Sequence, residues 1–310
     1  MRFPLLDNED QKSFDIEHIE KMVDTFLDKG FTYFDTAYMY HDFESERVVK
    51  RVLVDRHPRE KFLLATKMPT MFLEKESDLE RFFNEQLEKT GVEYFDYYLI
   101  HCLNTNLYEK FSELNGFEFV NEKKKEGKIR KLGFSFHDSA EVLDKILTEH
   151  PEMEFVQLQI NYLDWDNEEI QAEKCHKVAL GHNKPIIVME PVKGGMLANF
   201  GEDIADKFKA LDADASIASF ALRWVGSLPN VKVVLSGMTT MEQVEDNLKT
   251  FGAFQAMSEQ ELKVVDEVVE VLNSRVQNGC TGCRYCMPCP AGIDIGLANK
   301  DYDLAMALTA

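Results

Sequence analysis

Four polar residues of the chain have the types needed to reduce a carbonyl group: Asp35, Tyr40, Lys67 and His101. A tyrosine hydroxyl can donate a proton, but its ordinary pKa of about 10 is high for an acid that works at neutral pH. A neighbouring lysine ammonium lowers that pKa, and an aspartate keeps the lysine charged and in place. A neutral histidine can hydrogen-bond to the carbonyl oxygen. Together these residues predict a proton-donating site for reduction of a C=O group.

Four cysteines form a second chemical motif near the C-terminus, Cys280, Cys283, Cys286 and Cys289, with two residues between neighbours and Pro290 after the last. Four thiolates at this spacing suit a [4Fe–4S] cluster or a tetrahedral zinc ion. Bacterial ferredoxins have three residues before the last cysteine, whereas this chain has two. We predict a [4Fe–4S] cluster, with zinc or free thiols as the alternatives.

The elements that must position these residues alternate between strands and helices. Amphipathic helical segments separate seven short apolar segments, which lie at 31–37, 62–68, 94–101, 131–136, 155–162, 185–192 and 232–238. Near-continuous apolarity is typical of parallel strands that are buried on both faces. Asp35, Lys67 and His101 fall at the carboxyl ends of the first three, where parallel barrels carry their catalytic groups. The sequence therefore predicts an α/β fold, a (β/α)8 TIM barrel whose first strand is absent or short.

Length and composition set the domain organisation and exclude some functions. We predict a barrel over residues 1–256 of the 310 and a C-terminal helix with a Cys-rich tail over 257–310. A net charge of −20 opposes binding to nucleic acid or to an anionic membrane surface. No apolar run reaches the roughly 20 residues of a membrane span, and the first residues lack the pattern of a signal peptide. With the cysteines clustered, the expected location is the cytoplasm.

Three segments, FDTAYMY followed by ESE, ATKMP and YYLIH, resemble the aldo-keto reductase superfamily over residues 1–252. The resemblance implies a (β/α)8 barrel that uses a nicotinamide cofactor and an Asp-Tyr-Lys-His tetrad, here Asp35, Tyr40, Lys67 and His101. It implies NAD(P)H-dependent reduction of aldehydes, ketones or quinones by hydride transfer, with Tyr40 as the proton donor. The expected partner is thus a small-molecule carbonyl substrate.

The same resemblance places the cofactor contacts along the second half of the barrel. It implies that the nicotinamide contacts Ser135, Gln159 and Met189 and that the pyrophosphate contacts Pro191, Val192 and Gly194. It implies that the adenosine end contacts Ser236, Gly237, Met238, Gln243, Asp246 and Asn247. Many members that prefer NADPH carry a lysine and an arginine at the positions of Gly237 and Gln243. We predict NADP(H), with NAD(H) as the alternative because both cations are missing.

The segment CTGCRYCMPCPAGIDI resembles the ferredoxin-like tail of one subfamily of these reductases. Members of that subfamily start earlier and carry a longer tail, so this chain is expected to be shortened at both ends. A tail of this kind implies a redox partner. Two alternative functions stay open: an iron–sulfur electron-transfer component, and a catalytically impaired relative that only binds nucleotide or a partner.

Overall fold

Seven parallel strands form the centre of the protein in a computed structural model that describes residues 1–7, 9–275, 289–295, 298, 299, 302 and 305. Each strand pairs with the next one along the chain. The strands are β1 (Tyr33–Asp35), β2 (Leu63–Met68), β3 (Phe95–Leu103), β4 (Ile129–Phe136), β5 (Phe155–Gln159), β6 (Ile186–Met189) and β7 (Val231–Val234). Each overlaps one of the seven predicted segments, so the parallel α/β class is confirmed.

Helices lie between the strands and after the last one. They are α1 (Ile16–Asp28), α2 (Tyr40–Phe43), α3 (Ser45–Val49), α4 (Ser77–Thr90), α5 (Thr105–Glu113), α6 (Gly116–Lys125), α7 (Ala140–Glu149), α8 (Ala172–Gly181), α9 (Glu202–Lys209), α10 (Ile217–Gly226), α11 (Met241–Gly252) and α12 (Glu259–Arg275). Side-chain oxygens cap several N-termini: Asp15 caps α1, Ser139 caps α7 and Thr240 caps α11. Such caps satisfy backbone N–H groups that have no partner inside the helix.

Two apolar layers hold the sheet. The larger core lies between the strands and the helices. A smaller cluster on the other side of the sheet joins buried Ala65, Leu99, Phe155 and Ile187 to Tyr33 of β1 and Val233 of β7. Because residues of the first and last strands share this cluster, the sheet is curled around it. A curled parallel sheet brings the carboxyl ends of its strands together at one mouth.

The described part of the chain contributes seven strands and no eighth, in agreement with the seven segments counted in the sequence. Residues 1–4 do not pair as a strand; the backbone nitrogen of Met1 donates to the carbonyl oxygen of Asp35, and an isolated antiparallel bridge joins Leu5 to Phe14. Strands β1 and β7 therefore remain unpaired edges of the sheet. The helical layer continues across this gap, since Met22 of α1 packs with Val244 and Leu248 of α11.

The last described helix packs onto the barrel. Val265, Val268 and Leu272 of α12 are buried in the main core, and Lys207 of α9 donates to Glu267 of α12 at 3.0 Å. A division after residue 256 stays a prediction. No helix among the described residues is long and apolar enough to cross a membrane.

Candidate active site

The four predicted catalytic residues converge at the mouth of the curled sheet. Asp35 is the last residue of β1, Lys67 lies one residue before the end of β2, and His101 lies near the end of β3. The parallel register pairs Asp35 with Ala65 and Lys67 with Leu99, so these three strands present their polar residues at one edge. Tyr40 begins α2, five residues after Asp35.

A buried ion pair forms the base of the site. The Lys67 ammonium is fully buried; it donates to Asp35 Oδ1 at 2.6 Å and to the carbonyl oxygen of Thr36 at 2.8 Å. Burial alone lowers the pKa of a lysine, but the Asp35 carboxylate and Tyr40 outweigh burial, and the pKa of Lys67 is raised. Asp35 therefore keeps Lys67 charged.

Tyr40 lies beside this ion pair. The Lys67 Nζ is 4.9 Å from the centre of the Tyr40 ring. The positive charge of Lys67 is the largest influence on the pKa of Tyr40 and lowers it, as the sequence analysis predicts. Burial and the Asp35 carboxylate act in the opposite direction, and the pKa of Tyr40 is raised overall. The hydroxyl thus stays protonated at neutral pH, as a proton donor must be before it reacts.

His101 completes the set as a neutral imidazole. Its ring centre lies 6.0 Å from that of Tyr40, at an interplanar angle of 79°. Burial, with the nearby charge of Lys67, lowers the pKa of His101 to about 3. The buried Nδ1 of His101 and Oδ2 of Asp35 have no hydrogen-bond partner within the described part of the chain. Buried polar atoms rarely stay unpaired, so these two point to a site that takes a polar ligand.

The three predicted nicotinamide contacts lie on neighbouring strands, β4, β5 and β6. Ser135 is buried and its Oγ accepts a 2.8 Å hydrogen bond from the backbone N–H of Cys102. Gln159 and Met189 end β5 and β6 and pair in the register of the sheet. All three therefore lie near the mouth that holds the four catalytic candidates.

The predicted phosphate loop follows β6. Pro191 and Val192 lead into a short turn at Lys193–Ala198, and the φ angles of Gly194 and Gly195 are 67° and 105°. Glycine adopts such angles without the steric cost of a Cβ, and it lets a backbone approach a phosphate closely. The two glycines therefore let the loop adopt a turn that would be strained for most other residues.

The predicted adenosine contacts lie after β7 and on α11. Ser236 Oγ accepts from Asn247 Nδ2 at 2.9 Å, and Gln243 Oε1 accepts from the backbone N–H of Thr239 at 2.7 Å. Asp246 Oδ2 accepts from Ser216 Oγ at 2.5 Å. The other two predicted contacts, Gly237 and Met238, lie in the connection that leads to α11. The set therefore lies on the connection after β7 and on the first two turns of α11.

Three of the four predicted metal ligands, Cys280, Cys283 and Cys286, lie outside the described residues. Cys289 opens a short described segment, 289–295. Elsewhere in the described chain, no group of three or more His, Cys, Asp or Glu side chains could hold a metal ion. The cysteine motif stays a prediction.

One ion pair near the site was missed by sequence reasoning. The Lys193 ammonium contacts Asp164 Oδ1, and Asp164 is 3% exposed. Asp164 Oδ2 also accepts from Asn161 at 2.9 Å and from Gln159 at 3.5 Å. The pair thus joins the predicted phosphate loop to the segment after β5. An acidic residue soon after a buried strand was the available signal, but its lysine partner is 29 positions away.

A buried acid behind the site was also missed. Glu46 of α3 accepts from Thr66 Oγ1 at 2.6 Å and from Gln86 Nε2 at 2.7 Å, and Gln86 also donates to the carbonyl oxygen of Lys67 at 3.0 Å. Burial raises the pKa of Glu46 to about 7. Its place in the segment ESE gives no signal of burial, because most glutamates on helices are solvated.

Comparison with known proteins identifies the family of the chain. The sequence pattern of the Aldo/keto reductase family matches residues 6–270. The NADH-specific methylglyoxal reductase of Escherichia coli (strain K12) is 25% identical over 297 residues, covering 81% of this chain and 88% of that protein. An aldo-keto reductase of Mycobacterium avium (strain 104) is 27% identical over 240 residues, 76% of each chain.

Solved structures share the fold. The aldo-keto reductase AKR11C1 from Bacillus halodurans (holo form) superimposes with a TM-score of 0.67 at 21% identity, over 82% of this chain and 87% of that one. An aldo-keto reductase from Klebsiella pneumoniae in complex with NADPH gives 0.66 at 21% identity, over 82% and 85%. The curled parallel sheet is thus the architecture of these reductases.

Proposed function

The chain belongs to the Aldo/keto reductase family and is an NAD(P)H-dependent carbonyl oxidoreductase, and we propose that Asp35, Tyr40, Lys67 and His101 are its catalytic residues. The observation that carries this proposal is the cluster itself. A fully buried Lys67 pairs with Asp35 and lies against the Tyr40 ring, and the ring centre of a neutral His101 lies 6.0 Å from that of Tyr40.

Tyr40 is the proton donor in this proposal. Its hydroxyl is protonated at neutral pH, because burial and Asp35 raise its pKa. After the proton has left, the phenolate lies beside the charged Lys67 ammonium, which is the largest influence lowering that pKa. Lys67, held by Asp35, therefore stabilises the negative charge that develops on the tyrosine oxygen as the proton is transferred.

His101 orients the substrate. A neutral imidazole carries one N–H donor, and burial keeps His101 neutral across the range in which proteins usually work. We assign that N–H to the carbonyl oxygen of the substrate, next to the Tyr40 hydroxyl. Two hydrogen-bond donors on the carbonyl oxygen polarise the C=O bond and orient the carbonyl carbon toward β4 to β6.

The cofactor lies along β4 to β7 and α11 in this proposal. The nicotinamide would contact Ser135, Gln159 and Met189. The pyrophosphate would bind the loop of Pro191, Val192 and Gly194. The adenosine end would contact the segment after β7 and α11 through Ser236, Gly237, Met238, Gln243, Asp246 and Asn247. When bound, the nicotinamide supplies a hydride to the carbonyl carbon. The glycine angles of the loop and the buried unpaired atoms of Asp35 and His101 fit such a ligand.

The substrate is a small aldehyde, ketone or quinone, and the cofactor is NADP(H) or NAD(H). The test is oxidation of each reduced cofactor by the purified chain with a panel of these carbonyl compounds. We expect one cofactor oxidised per alcohol or hydroquinone formed. Cofactor binding without turnover of any compound would leave a nucleotide-binding protein, and the proposed reaction would then be wrong.

We also propose that Cys280, Cys283, Cys286 and Cys289 hold one [4Fe–4S] cluster in a ferredoxin-like tail that meets a redox partner. The support is their regular spacing and the proline that follows. A reducing compartment, the cytoplasm, suits such thiolates. Iron, sulfide and zinc are to be measured after anaerobic purification. We expect about four iron atoms per chain. One zinc ion per chain, without iron, would show that the four cysteines form a zinc site and that the cluster proposal is wrong.

A further inference from the structure

The gap between β1 and β7 is crossed at its mouth by the first residues of the chain. Met1 binds the carbonyl oxygen of Asp35 at the end of β1. The next side chain, Arg2, lies against Gly237 beyond the end of β7: a Cβ built on Gly237 would be 3.3 Å from Arg2 Cβ and 3.4 Å from Arg2 Nε. Arg2 therefore lies between the end of β1 and the connection that leads to α11.

This guanidinium has no carboxylate partner among the residues that the structure describes, and Arg2 is exposed. Two lysines of the candidate site are, in contrast, each paired with a carboxylate. Lys67 is paired with Asp35, and Lys193 is paired with Asp164. Burial lowers the pKa of His41, and positive charges nearby, Arg2 among them, lower it further. Of these three cations, Arg2 is the one whose charge is not paired with a carboxylate in the described part of the chain.

A dinucleotide in the proposed position has to cross this point. Its nicotinamide lies at the ends of β4 to β6 and its adenosine end on the segment after β7 and on α11, so the pyrophosphate runs from the loop after β6 toward Gly237. The chain carries a net charge of −20, which repels a dianion unless a local cation offsets it. Gly237 has no side chain, and Arg2 fills the space that a side chain there would take.

We propose that Arg2 binds the pyrophosphate of the nicotinamide cofactor. This inference rests on the proposed function. Arg2 offers up to five N–H donors in a planar fork, which suits phosphate oxygens, and its stem is held in place against Gly237. Because the pyrophosphate is common to both cofactors, Arg2 contributes to the affinity for NADPH and NADH alike.

The test measures dissociation constants of NADPH and NADH by fluorescence titration of wild type, Arg2→Ala and Arg2→Lys. Arg51→Ala is the matched control, because Arg51 is an exposed arginine on the short helix Lys50–Val54, outside the proposed site. We expect Arg2→Ala to weaken both cofactors by about tenfold or more, the effect of losing a charge-assisted hydrogen bond. Arg2→Lys should recover part of the affinity, and Arg51→Ala should match wild type.

Salt dependence provides a second readout. The affinity of wild type should fall as ionic strength rises, and that fall should be shallower in Arg2→Ala. Unchanged affinity for both cofactors would overturn the inference, while cofactor binding by wild type would leave the proposed function standing. A loss confined to NADPH would place the guanidinium on the 2′-phosphate and overturn the pyrophosphate assignment. No cofactor binding by wild type would instead refute the proposed function.

Discussion

Replacing Asp35 by asparagine tests whether the Asp35–Lys67 pair has the energetic role assigned to it. Lys67 is fully buried, and Asp35 is 10% exposed in its side chain. Removing one partner of a buried ion pair typically costs about 3–5 kcal/mol, because the other charge stays buried without compensation. The carbonyl oxygen of Thr36 still accepts from Lys67 in the variant. We therefore expect the unfolding free energy of Asp35→Asn at pH 7 to be lower than that of wild type by about 3 kcal/mol, the lower end of this range.

The pH dependence has a defined sign. In wild type the pKa of Lys67 is raised, so its stabilising contribution is complete below the unfolded pKa of about 10.4 and is lost only as pH rises through the folded value. In Asp35→Asn, burial without a carboxylate moves the folded pKa of Lys67 below the unfolded one. The penalty is then complete at low pH and disappears as pH rises toward about 10. The difference between the two proteins should shrink with rising pH.

Urea unfolding at pH 7 and pH 9.5 measures both effects. Asp55→Asn is the control, since Asp55 pairs with Lys50 at 2.6 Å on the surface, where the side chains are 52% and 41% exposed. An exposed pair contributes less than about 1 kcal/mol. If Asp35→Asn and Asp55→Asn lost the same stability at pH 7, or if the loss in Asp35→Asn grew with pH, the argument from burial would be refuted.

Two further predictions concern residues around the site. Asp164→Asn should release bound cofactor about tenfold faster in a stopped-flow displacement experiment, because Lys193 no longer holds the phosphate loop to the segment after β5. Lys193→Met should have the same effect. If the effects of the two substitutions added up in the double variant, Asp164 and Lys193 would not act as a pair. Glu46→Gln should gain stability relative to wild type as pH rises from about 4.5 to about 7, by up to about 3 kcal/mol. In this range the unfolded chain ionises the carboxyl, whereas burial keeps it protonated in the folded protein up to a pKa of about 7. A constant difference across urea titrations at these pH values would contradict this.

Much of the fold could be predicted from apolar periodicity. Each of the seven segments contains a strand or most of one, since buried parallel strands need continuous apolar residues. Whether the sheet closes into a full barrel could not be obtained this way, because closure depends on pairing between distant segments. Local sequence patterns do not predict tertiary contacts. They therefore show neither the gap between β1 and β7 nor the packing of Met22 against Val244 across it.

The site was predictable to the extent that it lies at strand ends. Asp35, Lys67 and His101 are placed there by the register, and Tyr40 follows at once. The sign of the Lys67 effect on the pKa of Tyr40 was predictable, but the net shift was not, because it depends on how deeply the hydroxyl is buried.

Residues that join distant loops gave no sequence signal. The pairing of Asp164 with Lys193 and the packing of Arg2 on Gly237 appear only once the strand ends meet.

The most direct test of the central claim is the rate of carbonyl reduction in a single turnover of Tyr40→Phe, with cofactor bound before the substrate is added. Tyr94→Phe is the control, since Tyr94 lies just before β3 and stacks on Arg59 and Arg130 outside the site. We predict that Tyr40→Phe binds cofactor as wild type does and reduces the carbonyl about 10²–10⁴ times more slowly, while Tyr94→Phe keeps the wild-type rate. A loss of less than about threefold in Tyr40→Phe, with cofactor binding intact, would contradict Tyr40 as the proton donor.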